Sequence, residues 1–161
     1  RVRQAIAAAN KIIGKPYKWG GGHGTLFDNG YDCSGAVSYA LYGGRFLRSP
    51  LPSGALMDWG EEGTGEWITV YAHGGHAYVV VAGLRFDTSM HDPDAPGPGS
   101  GPRWSKTLRR SSAFVARTVM STPRAFSRRV HRNPASTKAI ASITFTRVGP
   151  SSRRSLFEDL R

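Results

Sequence analysis

Cysteine is almost absent from this chain: Cys33 is the single thiol among 161 residues. One thiol excludes an internal disulfide, and it excludes a metal site built from cysteines alone. Long apolar runs are missing too; none reaches the roughly 18 residues that a membrane-spanning helix needs. Acidic side chains are scarce late in the chain. Residues 101–161 hold 14 Lys+Arg against 2 Asp+Glu, whereas residues 1–100 hold 8 against 9. The net charge of +11 therefore belongs to the C-terminal third. Such a stretch is either a solvated Arg-rich face or a region drawn to a polyanion: nucleic acid, anionic lipid or an anionic cell-wall polymer. Composition does not choose among these. The chain opens on Arg1 with neither Met nor a signal-like segment, which predicts a processed form or a piece of a longer protein.

What is present fits one folded domain, because at about 150 residues folding buries roughly 68–70% of the unfolded surface. Val2, Ala5, Ile6, Ala9, Ile12 and Ile13 recur at helical spacing and predict a helix over 1–13, stopped by Gly14 and Pro16. A Gly- and aromatic-rich loop follows over 14–32. Ala36, Val37, Tyr39, Ala40 and Leu41 predict a second helix over 33–42, ended by Gly43-Gly44. Residues 45–65 read as loop. Strands are expected at 67–71, 77–81, 84–88 and 113–118, with a Pro- and Gly-rich loop at 91–102. Alternation predicts a further strand over 139–148, and 152–160 reads as a short helix. Helices first and strands after give an α+β domain with an antiparallel sheet.

Cys33 sits where the second helix begins, within Tyr31-Asp32-Cys33-Ser34-Gly35. A thiol in a first helical turn faces unpaired N–H groups and the positive end of the helix dipole, and both favour the thiolate. A buried structural thiol is the plainer reading, but the position favours a nucleophile. A nucleophilic cysteine needs a base, and the base needs an orienting group. Of five histidines, His76 opens the most apolar strand. If Ala82-Gly83 form a two-residue hairpin turn, Tyr78 lies opposite Asp87 and His76 is its diagonal neighbour on the same face, within reach of a His–Asp contact. His91 is the alternative orienting group. His73 and His76 stand three apart, which is weak metal spacing in a strand, and no metal is expected. The glycines at 20–22 and 24 lack a following Lys-Ser/Thr, so no phosphate loop is expected either. Tyr17 and Trp19 are core aromatics or the lining of a groove.

Gly14-Lys15-Pro16-Tyr17-Lys18-Trp19-Gly20-Gly21, then Tyr31-Asp32-Cys33-Ser34-Gly35, then Gly75-His76-Ala77-Tyr78-Val79-Val80 resemble the NlpC-type cell-wall peptidases across residues 1–119. The resemblance implies a papain-like cysteine endopeptidase, secreted or cell-wall associated. Its substrate would be the stem peptides of bacterial peptidoglycan, cut at a D-glutamyl–diamino acid type bond, with no cofactor. It implies Cys33 as nucleophile and His76 as base. Asp87 falls at the family's third polar position, where His is commoner. Tyr17 corresponds to the tyrosine beside the thiol, and Asp32, Ser34 and Gly35 to the segment that holds the free amine end of the stem peptide. Trp19 is counted with this substrate-binding group. The basic extension 121–161 has no counterpart. Two other functions remain open on the sequence: an acyltransferase or amidase on the same Cys–His framework, and a non-catalytic module that binds a polyanion.

Overall fold

Alanine-rich periodicity makes the first helix, α1 (Val2–Lys11), which buries Ala5, Ile6, Ala8 and Ala9. It ends two residues before the expected point because Ile12 has left helical geometry at φ −110°. The second helix, α2 (Cys33–Gly43), is buried along Ser34–Leu41. A helix apolar around most of its circumference must lie inside the domain, and α2 packs between α1 and the sheet. The computed structural model describes residues 1–89, 101–106 and 112–119. His91, His131, the extension 121–161 with its expected strand and helix, and nearly all of the 91–102 loop lie outside the described residues.

The expected loop at 45–65 holds two short elements, α3 (Ser53–Leu56) and β1 (Glu61–Glu62). The remaining strands are β2 (Ile68–His73), β3 (His76–Val81), β4 (Leu84–Asp87), β5 (Arg103–Ser105) and β6 (Val115–Thr118). Together they form one sheet in the order β1-β6-β2-β3-β4-β5. Every adjacent pair is antiparallel. The fold is thus α+β, with its N-terminal helices against an antiparallel sheet.

The β3–β4 hairpin controls the site. Val81 pairs with Leu84 and Val79 with Phe86, so the turn consists of Ala82 and Gly83 alone. Both adopt positive φ, 51° and 89°, the geometry that a two-residue turn needs to follow strand twist. One sheet face carries Val70, Ala72, Ala77, Val79, Val81 and Phe86 into a single core with Ile6, Ile12, Val37 and Leu41. Alternation sends Tyr71, His73, His76, Tyr78, Arg85 and Asp87 to the other face. There Tyr71 stacks on Tyr78 at 4.9 Å. The unexpected strand β5 is anchored from both sides: Trp104 packs on Phe86 at 4.8 Å and donates its indole N–H to Asn10 of α1.

Candidate active site

Asp32 determines where α2 starts. It is the N-cap residue, in extended conformation, and its Oδ1 accepts the N–H of Gly35 at 2.7 Å. The same oxygen meets Ser34 Oγ at 3.2 Å and His23 Nε2 at 2.9 Å, while Oδ2 accepts the N–H of Gly20 at 3.1 Å. The glycine-rich loop is therefore fastened to the start of the helix through one carboxylate. Gly35 cannot carry a side chain here: a Cβ would stand 2.0 Å from the carbonyl oxygen of Gly21. Cys33 follows the cap as the first helical residue and is partly buried.

The β3 strand begins against this helix terminus. Burial pushes the Cys33 thiol up, yet hydrogen bonding to the His76 ring and to the Ala77 N–H, with the charge of His76, carries it below its ordinary value. His76 turns Nε2 to Asp87 Oδ1 at 2.9 Å, which leaves Nδ1 for the thiol. Burial works against the His76 charge, but Asp87 and then Cys33 outweigh it and raise the imidazole to about 9. Asp87 is completely buried at its side chain. It also accepts the N–H groups of Thr88 and Ser89 and the Ser89 hydroxyl. Burial pushes its carboxyl up, and the hydrogen bond and charge of His76, followed by Ser89, bring it below its usual range. Within Cys33–His76–Asp87 the thiol is lowered and the imidazole raised, and both shifts favour a thiolate–imidazolium pair.

The expected binding residues separate. Tyr17 is 37% exposed. Partial burial raises its phenol, and the negative charges of Cys33 and Asp32 raise it further, which places it beside both. Asp32 and Ser34 are buried in the cap network, and Gly35 contributes a close backbone approach. Trp19 is 86% exposed and belongs to no core. Two neighbours escaped the sequence reading. His23, next to glycines and without periodic signal, joins Asp32 and meets Ser34 Oγ at 3.1 Å. Phe114, read only as part of a strand, packs on His73 at 4.4 Å and on Tyr78 at 5.1 Å, with its ring centre 6.2 Å from that of His76.

His73 uses Nδ1 to accept the Gly75 N–H in the β2–β3 turn. Among the described residues, no group of three His, Cys, Asp or Glu is placed to hold a metal ion. A hollow of about 510 Å³ lined by Tyr42, Gly43, Arg45, Leu47 and Arg48 lies at the opposite end of α2 from Cys33 and contains none of these groups. No family model matches the chain, and no curated protein matches it significantly.

Proposed function

We propose that this chain is a papain-like cysteine endopeptidase that hydrolyses peptidoglycan stem peptides at a D-glutamyl–diamino acid type bond. The observation that carries the reading is the series Cys33–His76–Asp87, in which a buried carboxylate orients a base that shares a proton with a thiol. The Cys33 thiolate attacks the scissile carbonyl carbon. The developing oxyanion is met by the Cys33 backbone N–H, which as the first of the helix has no intrahelical acceptor. As the C–N bond breaks, its electron pair stays on nitrogen, which takes the proton from His76. Water then attacks the thioester while His76 accepts its proton, and the thiolate leaves.

The substrate class rests on the resemblance of the Tyr17, Cys33 and His76 segments to cell-wall peptidases. Asp32 adds a physical reason, because a carboxylate beside the nucleophile suits the ammonium end of a short peptide. A wall-facing location, and contact of the basic C-terminal region with anionic wall polymers, belong to the same proposal.

The test is digestion of purified peptidoglycan by the unaltered protein and by Cys33→Ser, with the products weighed by mass spectrometry. Fragments ending in D-glutamate, matched by newly exposed diamino acid amines, are expected from the former alone. Equal release by Cys33→Ser removes the thiol from the mechanism. Products joined to an added amine in place of water would identify a transferase.

A further inference from the structure

Asp87 is held between two cations. On Oδ1 it meets His76 Nε2 at 2.9 Å; on Oδ2, besides the Ser89 hydroxyl at 2.8 Å, it faces Arg85 Nε at 3.6 Å. Arg85 is itself buried, its side chain 9% exposed, and its Nε makes no hydrogen bond among the described residues. Its guanidinium stands 5.9 Å from the centre of the Tyr78 ring. The spacing of two along β4 puts Arg85 and Asp87 on one face of the strand. A guanidinium out of water persists where an opposite charge compensates it, and Asp87 is that charge. Other groups share the neighbourhood. Arg103 is registered opposite Asp87 on β5, the His73 ring lies 6.3 Å from His76 across the β2–β3 hairpin, and Cys33 faces His76 from α2.

We propose that Arg85 is a positioning residue for the His76 base, holding the charge of Asp87 at the moment His76 gives up its proton. The inference rests on reading Cys33 and His76 as nucleophile and base. When the C–N bond breaks, the leaving nitrogen keeps the electron pair and takes the imidazolium proton. His76 becomes neutral, and Asp87, sealed from water, loses the cation on Oδ1. Arg85 remains on Oδ2, so the carboxylate is never left without a compensating charge. Without Arg85, Asp87 would hold the imidazolium proton more tightly, and His76 would be a poorer acid toward a leaving amine.

The His76 ring nitrogens, followed by ¹⁵N NMR against pH, give a readout that needs no substrate. Arg85→Gln is expected to move the His76 transition upward by about one pH unit or more, the lower end of what a nearby charge does. Arg85→Lys should leave it nearer the unaltered value, and Arg103→Gln should move it less than Arg85→Gln. An unmoved transition in folded Arg85→Gln overturns the proposal, as does a larger shift from Arg103→Gln. If Arg85→Gln does not fold, the unaltered protein decides: the Arg85 Nε–H resonance should titrate with the His76 midpoint, and indifference to that midpoint rejects the link.

A kinetic arm compares leaving groups. Arg85→Gln should slow amide substrates more than p-nitrophenyl esters, whose leaving group needs no proton, and equal slowing of both rejects the role in proton release. Inactivity of the unaltered protein on stem peptides, with the titration result intact, would discard the substrate assignment alone.

Discussion

The Asp87 carboxylate reaches the His76 ring at 2.9 Å across the β3–β4 hairpin, beyond the last registered pair, Val79 and Phe86. The contact is diagonal, so it depends on the two-residue turn at Ala82-Gly83. A shift of one residue would put His76 and Asp87 on opposite faces of the sheet.

Removing this carboxylate should damage turnover more than binding. Asp87→Ala is expected to lower kcat by about 10²-fold or more with little change in KM, because the oriented base matters chiefly in the transition state. Steady-state kinetics on a soluble stem peptide supply the check. A KM effect with kcat intact would move Asp87 from orienting the base to shaping the groove.

The pH dependence has a definite sign. His76 is raised from 6.5 to about 9 in the folded state. The folded protein therefore holds that proton more tightly, and the resulting stability is full below the unfolded value and lost as pH rises through about 9. Asp87 acts in the other sense: its folded carboxyl lies below 3.8, so its contribution is present above that value and lost as pH falls through the lowered one. Thermal unfolding across pH should show declines at both ends, and His76→Gln should flatten the alkaline one. Iodoacetamide should label Cys33 well below pH 8, the thiolate and imidazolium titrating as one coupled pair.

Asp32 offers a way to separate scaffold from acidity. Asp32→Ala removes the acceptor for Gly35, Ser34, His23 and Gly20, with an expected loss of about 1–3 kcal/mol in urea unfolding. Asp32→Asn keeps a capping oxygen and should retain most of that stability. It also removes a negative charge that raises the Cys33 thiol, so its alkylation profile should move to lower pH. A profile that stays put, in a folded Asp32→Asn protein, would show that the carboxylate does not act on the thiol.

The charge asymmetry predicts a salt effect confined to attachment. Residues 101–161 carry 14 basic side chains against 2 acidic ones. Exposed charges more than about 8 Å apart are largely screened at physiological ionic strength. Added salt should therefore release the protein from sedimented cell walls before it slows cleavage of a small soluble peptide. Wall binding that salt leaves unchanged would assign the arginines to another partner.

The elements that were readable from sequence are those with local signals. α1 and α2 declared themselves by spacing, and the β3–β4 register followed from two turn residues between apolar strands, which carried the His76–Asp87 contact with it. The rest depends on neighbours distant in sequence. Arg103-Trp104-Ser105 is too short for periodicity and becomes β5 only by pairing with β4 and reaching Asn10. Glu61-Glu62 becomes β1 by pairing with β6. Phe114 approaches His76 because the start of β6 lies beside β2, a sheet order that alternation does not encode. His23 gains its place from a loop folding back on Asp32, which leaves no pattern in the residues around it.

Cys33 and His76 belong to separate elements, and the Ala77 N–H that bonds the sulfur belongs to the sheet. A chain that has not yet docked α2 against β3 carries a thiol of ordinary acidity with no base beside it. The lowered pKa of the thiol is thus an assembled property, which nascent and denatured chains lack until α2 meets β3. The solitary sulfur also times its own folding: the moment at which alkylation accelerates marks the arrival of the sheet at the helix.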